Sequence, residues 1–470
     1  MRCVQSISTS HTPESLVERL GGEPGIVLLR SSYFDSPQAR YSFVAARPLM
    51  TFRSFGSRCH WSGTEQLQFG DPWHILQQAM ARYELLDQID LPFPLGGCFG
   101  YWGYDLKNFV EPKLPRQAVN DLELPDCHAG FYDSLVVFDH RLDKTWIIST
   151  GLQPDGSRDA ARAREQFEFW ANHLAAAPQM ATPIHATVGV PASNLSREDF
   201  IDKVLRAQRY IRAGDIYQVN LSHRLTTKTN LEGWPFFRRL CDASPAPFAA
   251  YLDCGDFQVC SSSPELFLRL SGLDIQTRPI KGTRPRSANS DRDAQLTYEL
   301  QTSPKEMSEL VMITDLLRND LGRVCQYGSV QVPELVRLER YPQVQHLVST
   351  ITGRLRANET HFSAFALCFP GGSVTGAPKI RAMEIIDELE PVTRGPYTGA
   401  IGYLGFNRES QLSIAIRTAI CRDGQIHFHA GAGIVHDSVA EAEYAETMAK
   451  AAGFLAALRQ PREASQPVQP

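Results

Sequence analysis

The order of the predicted strands and helices constrains the fold of this chain more than any other feature. Alternating or fully apolar runs predict strands that arrive in groups, with helices between the groups and no regular strand–helix–strand alternation. These runs lie at residues 25–29, 41–46, 134–138, 216–225, 248–252, 258–262, 273–280, 400–406, 412–421 and 426–430. This order favours an α+β fold with large antiparallel sheets.

Helical spacing of apolar residues predicts helices between these strands, at 72–86, 157–175, 197–213, 304–321, 378–389 and 439–458. The third helix has the clearest ends, because Ser196 and Asp199 form a capping box and Gly214 follows its last residue.

Proline content indicates how the chain is divided. Segment 175–196 contains three prolines and no apolar period, and we expect it to separate an N-terminal region, 1–190, from a second region, 196–458. Three more prolines lie within 460–470, which we expect to be a disordered tail.

Composition excludes several functional classes. The chain is 43% hydrophobic and 21% charged, as in ordinary globular proteins. Its 47 basic and 52 acidic residues offer no overall positive field for nucleic acid or an anionic membrane. The first residues lack the apolar core of a signal peptide, no run is long enough to span a membrane, and the ten cysteines are scattered. We therefore expect a cytoplasmic protein with reduced thiols.

Two predicted helices each carry a pair of glutamates three residues apart: Glu306 with Glu309, and Glu443 with Glu446. Residues at this spacing lie on one helix face. If the two faces converge, the four carboxylates repel each other unless a divalent cation lies between them, and an all-oxygen site suits Mg²⁺. The alternatives are structural: the first pair belongs to a capping box, and Glu446 is spaced to pair with Lys450.

Glycine-rich segments offer backbone amides to an anion. Residues 369–379 lead into a helix, and Gly431 and Gly433 follow a predicted strand. Segment 369–379 does not end in the Gly-Lys-Ser/Thr pattern of a nucleotide phosphate loop. A carboxylate therefore suits it at least as well as a phosphate. For Gly431 and Gly433 the alternative is a tight strand-to-loop turn that needs a positive φ. Arg417, opposite the apolar face of predicted strand 412–421, is either solvated or a clamp for a carboxylate.

Lys281 lies before a glycine, among Arg278, Arg284 and Arg286. Crowded positive charge favours the neutral amine, which is the nucleophilic form of lysine. The alternative interpretation is a basic surface turn. Glu265 follows Pro264 nearby, and its carboxyl group can serve as a general acid if it is buried.

Together these stretches resemble the chorismate-utilising enzymes. This family contains the large subunits of anthranilate synthase and aminodeoxychorismate synthase and, more distantly, the isochorismate and salicylate synthases. The resemblance covers about residues 196–458 and rests on motifs at 214–222, 262–265, 279–286, 315–320, 345–349, 370–379 and 430–435. It implies sheets packed as a β-sandwich with flanking helices, and an N-terminal region of the anthranilate synthase component I type.

Two positions distinguish the members of this family. Isochorismate and salicylate synthases carry a lysine base where this chain has Gln218, and anthranilate synthases usually carry alanine where it has Lys281. The chain is therefore most similar to the component I group of aminodeoxychorismate synthases. This implies conversion of chorismate and ammonia to 4-amino-4-deoxychorismate, for 4-aminobenzoate and folate synthesis, with ammonia from a glutaminase partner. The rivals are anthranilate synthesis and a regulatory subunit that binds chorismate or tryptophan without catalysis.

The resemblance also implies a role for each matching residue. Lys281 would add covalently to the substrate ring and Glu265 would be the general acid. Glu309 and Glu446 would bind Mg²⁺ directly, with Glu306 and Glu443 acting directly or through water. The substrate residues would be His346, Thr375, Tyr403, Arg417, Gly431, Gly433 and Lys450. A pocket that can enclose L-tryptophan would contain Ser31, Arg40, Tyr41, Pro247, Phe248 and Ala249.

Overall fold

The computed structural model describes residues 3–32, 39–63, 67–86, 91–178, 185–341 and 343–459. Strands are numbered in chain order. Those before residue 200 are β1 (Cys3–Ile7), β2 (Val27–Arg30), β3 (Tyr41–Ala45), β4 (Met50–Phe55), β5 (Arg58–Trp61), β6 (Gln68–Phe69), β7 (Gly97–Trp102), β8 (Cys127–Tyr132), β9 (Ser134–Asp139), β10 (Lys144–Ser149) and β11 (Ala192–Ser193). Those after it are β12 (Gln218–Lys228), β13 (Phe248–Asp253), β14 (Gln258–Ser263), β15 (Leu266–Ser271), β16 (Asp274–Arg278), β17 (Ile280–Pro285), β18 (Gln331–Arg340), β19 (Val344–Arg354), β20 (Gly376–Ala377), β21 (Ala400–Gly405), β22 (Glu409–Ile414), β23 (Thr418–Arg422) and β24 (Gln425–Ile434).

The helices separate groups of these strands. They are α1 (Pro13–Arg19), α2 (Pro72–Tyr83), α3 (Lys107–Val110), α4 (Ala160–Ala175), α5 (Arg197–Ala213), α6 (Gly233–Ala243), α7 (Ser290–Thr302), α8 (Pro304–Gly322), α9 (His361–Cys368), α10 (Lys379–Leu389) and α11 (Ala440–Leu458), with 3₁₀ turns at Tyr104–Leu106 and Gly372–Val374. Helix α5 begins with the expected reciprocal capping box of Ser196 and Asp199 and ends at Gly214, whose φ is 85°.

The strands form two antiparallel sheets. In the first sheet the order is β1-β10-β9-β3-β2-β13-β14-β23-β24-β12-β11, with β20 paired to β12. In the second the order is β17-β19-β16-β15-β22-β21-β7-β8-β4-β5-β6, with β18 paired to β19. The predicted α+β class is therefore confirmed. Regions 1–190 and 196–458 share both sheets, because β2 pairs with β13 and β7 pairs with β21.

The sheets pack face to face through the largest hydrophobic cluster, which draws residues from both. Across this interface the ring centroids of Phe43 and Tyr403 lie 5.1 Å apart. Helices α1, α4, α6 and α11 cover the outer face of the first sheet, burying Trp170, Phe236 and Phe454. Burial of such apolar surface supplies the main driving force for this sandwich.

Two neighbouring strand connections pass from one sheet to the other. Between β14 and β15 the chain crosses at Pro264 and Glu265, and between β22 and β23 it crosses at 415–417. The backbone N–H of Ile414 donates to the carbonyl oxygen of Glu265 at 3.1 Å, so the two crossings lie side by side. The prediction of one continuous strand over 412–421 is therefore wrong, since Arg417 has a φ of 49° and interrupts it.

Other boundaries differ in detail. The predicted strand 273–280 is two strands, β16 and β17, which Pro279 separates. The expected disordered tail, 460–470, and residues 179–184 of the proline-rich segment lie outside the described residues.

Candidate active site

Lys281 lies on β17 at one end of the sandwich, half-buried, opposite Leu347 of β19. A Cβ atom added to Gly433 would lie 4.0 Å from the Lys281 Nζ and 2.5 Å from the Gln218 Nε2. A side chain at Gly433 would therefore displace the Gln218 amide, and the small residue lets β24 pass close to the Lys281 amine.

The expected crowding of positive charge around Lys281 is not what the structure shows. The guanidinium of Arg278 pairs with Glu339, Arg284 contacts Glu306 at 3.3 Å, and Arg286 contacts Asp293 at 2.9 Å. These acidic partners come from other elements. The amine of Lys281 instead lies close enough to Glu265, Glu309 and Glu446 to lower the pKa of each carboxyl group, so its charged neighbours are acids.

Glu265 is 5% exposed at the crossing between the sheets. Burial raises the pKa of its carboxyl group to about 7, against the opposing effects of a hydrogen bond from Ser373 and the charge of Lys281. A protonated carboxyl group near neutral pH, close to a lysine amine, can act as a general acid.

The glutamate pair on α8 and the glutamate pair on α11 face one another. Burial, and then the charges of Glu306 and Glu446, raise the pKa of Glu309, although Lys281 and Lys305 oppose this shift. Burial, and then Glu446, likewise raise the pKa of Glu443, against a hydrogen bond from Ser438. Carboxylates that destabilise one another's charge suit a divalent cation.

Lysines occupy the rim of this acidic cluster. Lys450 Nζ lies 2.7 Å from a carboxylate oxygen of Glu446 and 3.0 Å from the carbonyl oxygen of Gly431. Partial burial raises the pKa of Glu446, but Lys450, Lys305 and Lys281 outweigh it and hold this pKa below its ordinary value. Within the described parts of the chain, no three acidic, histidine or cysteine side chains converge tightly enough to hold a metal ion.

His346 lies on β19, the strand that pairs with β17, and Arg417 lies close enough to it to act on its charge. The Nδ1 atom of His346 is 2.9 Å from the hydroxyl of Thr283. Burial, followed by the charge of Arg417, lowers the pKa of His346 to about 4, so the imidazole is neutral at physiological pH. The Arg417 carbonyl oxygen accepts from the N–H of Ser262, which fixes this crossing beside β14.

The glycine-rich loop is a paired turn and not an open cradle of amides. Its Thr375 side chain donates to the carbonyl oxygen of Gly371 at 3.2 Å, and its carbonyl accepts from Asn220 at 2.8 Å. Residues Gly376 and Ala377 pair with the first residues of β12. A Cβ atom at Gly376, where φ is 148°, would lie 2.2 Å from the Gln218 carbonyl oxygen, so only glycine fits.

Tyr403 is not in this pocket, which corrects the expectation from the sequence. Its ring lies between Phe43 and Phe99 in the sheet interface, beside a second cavity. The tyrosine that faces Gly431 is Tyr397, whose hydroxyl oxygen would lie 2.7 Å from a Cβ atom at that glycine. Sequence reasoning missed Tyr397, which lies in the loop before β21 and has no periodic pattern to mark it.

The second cavity brings together most of the residues expected to enclose tryptophan. Its lining includes Ser31, Tyr41, Pro247, Phe248, Ala249 and Tyr403. Arg40 instead directs its guanidinium to Asp139, with contacts of 3.0 and 2.7 Å. The cavity is small, with a volume of about 30 Å³.

This fold is shared with a family of chorismate-binding enzymes. Residues 30–456 match the model of the chorismate binding enzyme family, and the chain belongs to that family. It is 41% identical to aminodeoxychorismate synthase component 1 of Escherichia coli (strain K12) over 441 residues, 93% of this chain and 94% of the relative. It is 39% identical to anthranilate synthase component 1 of Acetivibrio thermocellus over 469 residues, 96% and 94% of the two chains.

A solved structure shows the same architecture. The crystal structure of anthranilate synthase component I from Streptococcus pneumoniae TIGR4 is 31% identical, covers 90% of this chain and 94% of its own, and has a TM-score of 0.78. None of the helices in the described residues is both long and apolar enough to cross a membrane.

Proposed function

We propose that the chain is an aminodeoxychorismate synthase component I, converting chorismate and ammonia to 4-amino-4-deoxychorismate. The observation that carries the proposal is Lys281, a lysine amine beside the buried carboxyl group of Glu265 at the mouth of an acidic cluster. The product would serve 4-aminobenzoate and folate synthesis after a separate lyase acts on it.

In the proposed reaction, two displacements replace the C4 hydroxyl by an amino group. The nitrogen lone pair of Lys281 forms a bond to C2 as the two ring double bonds shift and the C4–O bond breaks, and the proton of Glu265 lets the hydroxyl leave as water. Ammonia then forms a bond to C4, both double bonds shift back, and the C2–N bond breaks with its electron pair returning to the Lys281 nitrogen. The new ammonium group gives a proton back to Glu265, which regenerates the general acid. The enolpyruvyl substituent stays on the ring, so no pyruvate is released.

Around these two groups, the other residues hold the substrate. Arg417 and the backbone amides near Gly431 and Gly433 would bind one carboxylate, with His346 near the departing hydroxyl. Thr375 and Tyr397 would contact the same ligand, and Lys450 would face the other carboxylate. The charges of these groups match a dianionic ring compound.

A divalent cation would relieve the repulsion within this cluster, because Glu306 and Glu446 raise the pKa of Glu309, and Glu446 raises the pKa of Glu443. We infer that Glu309 and Glu446 would hold Mg²⁺, with Glu306 and Glu443 direct or through water. Bound there, Mg²⁺ would neutralise a substrate carboxylate.

Removing a ligand should weaken Mg²⁺ binding. We expect Glu309→Gln and Glu446→Gln to raise the Mg²⁺ dissociation constant, measured by calorimetry without substrate, by at least about 10-fold. The matched control is Glu441→Gln, at an exposed position in the first turn of the same helix as Glu446, which should bind Mg²⁺ as the wild type does. Equal affinities in all variants would contradict the assignment.

Ammonia would come from a separate glutaminase subunit. Relatives named component 1 imply a second component. The purified chain should therefore use ammonium directly and use glutamine only when such a partner is added.

Product analysis tests the proposal against anthranilate synthesis, which the relatives make the nearest rival. Purified chain, chorismate, Mg²⁺ and ammonium should yield 4-amino-4-deoxychorismate without pyruvate. Fluorescent anthranilate with pyruvate would contradict the proposal, and tight chorismate binding without turnover would favour a regulatory subunit.

The second cavity is proposed to bind L-tryptophan after its side chains rearrange. We expect Ser31→Leu to weaken tryptophan binding by about 10- to 100-fold, since an overfilled site costs about 1–3 kcal/mol. Ser32→Leu is the matched control, because Ser32 does not line the cavity. Calorimetry and native mass spectrometry give the affinities, and a wild-type chain that binds no tryptophan would contradict the proposal.

A further inference from the structure

A buried ion pair lies behind the candidate substrate pocket. Glu390 ends α10 and Arg394 follows in the next loop, and their side chains are 4% and 1% exposed. The Arg394 Nε and Nη2 donate to the two carboxylate oxygens at 2.8 and 2.7 Å. A buried pair loses hydration on folding, and apolar residues of similar size often replace one without loss of stability. Stability alone therefore does not account for this pair.

The guanidinium of Arg394 joins three separate segments. Besides Glu390, its Nη2 donates to the carbonyl oxygen of Asn220 at 2.7 Å. Its Nη1 donates to the carbonyl oxygen of Val374 at 3.1 Å and to the hydroxyl of Thr398 at 3.2 Å. All five N–H groups of the side chain are thus used. They link β12, the glycine-rich loop and the loop before β21.

The carboxylate of the pair extends this network to the pocket. It accepts from the backbone N–H of Ser222 at 2.8 Å and from its hydroxyl at 2.9 Å. In the ladder between β12 and β24, Ser222 lies opposite Gly431 and Asn220 lies opposite Gly433. The N–H of Asn220 also donates to the carbonyl oxygen of Thr375. Each contact therefore ends at, or next to, a residue that the proposed function assigns to the substrate pocket.

Tyr397 is held by the same arginine. Its backbone N–H donates to the Arg394 carbonyl oxygen at 3.1 Å, and its ring centroid lies 5.7 Å from the guanidinium carbon. The other face of the network is closed by the Tyr104 ring, 4.7 Å from that carbon. This packing directs the Tyr397 hydroxyl towards Gly431.

We propose that Glu390 and Arg394 are positioning residues that set the shape of the chorismate pocket without touching the substrate. They hold Thr375, Tyr397 and the strand edge at Gly431 in one arrangement. This inference rests on the proposed function for the identity of the ligand. Lysine cannot replace the arginine, because its ammonium group has three donors and no planar fork.

The test uses an apolar pair of similar size, Glu390→Leu with Arg394→Met, and the single variant Arg394→Lys. The control replaces an ion pair elsewhere in the fold, between the β8–β9 connection and α4, by Asp133→Leu with Arg162→Met. Its atoms lie 3.0 Å apart, and the Asp133 and Arg162 side chains are 1% and 24% exposed. Each protein is compared by thermal unfolding, chorismate affinity in calorimetry, KM and kcat with ammonium, and amide hydrogen exchange. Exchange is followed in segments 218–222, 372–377 and 395–399.

We expect the apolar pair to unfold as cooperatively as the control but to bind chorismate about 10- to 100-fold more weakly, as when supporting residues of a site are lost. Its KM should rise while kcat stays near the wild-type value, and exchange should accelerate in the three segments and not elsewhere. Arg394→Lys should change in the same direction, and the control should keep wild-type affinity.

Wild-type chorismate affinity and unchanged exchange in the apolar pair would overturn the proposal. If that variant does not fold, Arg394→Lys with wild-type affinity and exchange would overturn it instead. A wild-type chain that binds chorismate but does not aminate it would contradict the proposed function alone, because affinity and exchange still decide the positioning role.

Discussion

Lys281→Ala is expected to abolish formation of 4-amino-4-deoxychorismate while leaving chorismate binding nearly intact. The variant removes the proposed nucleophile, so we expect kcat to fall by about 10³-fold or more, equivalent to about 4 kcal/mol of transition-state stabilisation. Wild-type protein mixed with chorismate, Mg²⁺ and ammonium should show, in intact-mass spectra, an adduct of chorismate minus water. The variant should show none.

The matched control for this variant is Lys305→Ala. Lys305 lies 4.0 Å from a carboxylate oxygen of Glu443 and is 53% exposed, so its replacement removes the same charge near the same acidic cluster. It should keep the adduct and keep kcat within about 10-fold. Product formation by Lys281→Ala at the wild-type rate would show that ammonia attacks C4 directly.

Local signals in the sequence predicted local structure well. The capping box and terminal glycine of α5 lie within the helix they define, and the structure has both. The pairing of β2 with β13 depends on residues more than two hundred positions apart, and no local pattern encodes it. The α+β class followed from strand order, whereas the interleaving of the two regions could only be seen in the structure.

Arg417 shows why a periodic pattern can mislead. Its segment alternates apolar and other residues as one strand does, but the chain changes sheets there and places Arg417 at a positive φ. The surroundings of Lys281 show a related limit. Three arginines are close to it in sequence, but acidic partners from distant elements pair with each of them.

The two tyrosines near β21 show the same limit for the site. Both lie within seven residues of each other, and only packing shows that Tyr397 faces Gly431 while Tyr403 faces the sheet interface. By contrast, the glutamate spacing on α8 and α11 was sufficient to predict one acidic face on each helix. Helix geometry is regular enough to carry that inference.

Glu265→Gln is expected to lower kcat by about 10²- to 10⁴-fold, the usual contribution of a general acid. Because burial raises the pKa of this carboxyl group to about 7, the acid form is present below that pH. The wild-type kcat/KM should therefore decline as pH rises through about 7, and this decline should be missing in the variant. A variant that keeps the same decline would show that another group titrates there.

The same substitution should stabilise the fold at high pH, which separates lost chemistry from lost structure. Below pH 4.5 the carboxyl is protonated in both states; between 4.5 and about 7 only the unfolded chain ionises, so wild-type stability falls as pH rises. Above pH 7 the buried, ionised carboxyl group lowers the free energy of unfolding of the wild type by about 3 kcal/mol. Glutamine carries no such charge, so in urea unfolding the variant should gain about 2 kcal/mol over the wild type between pH 5.5 and 8.5. A gap independent of pH would mean that Glu265 is not the buried acid.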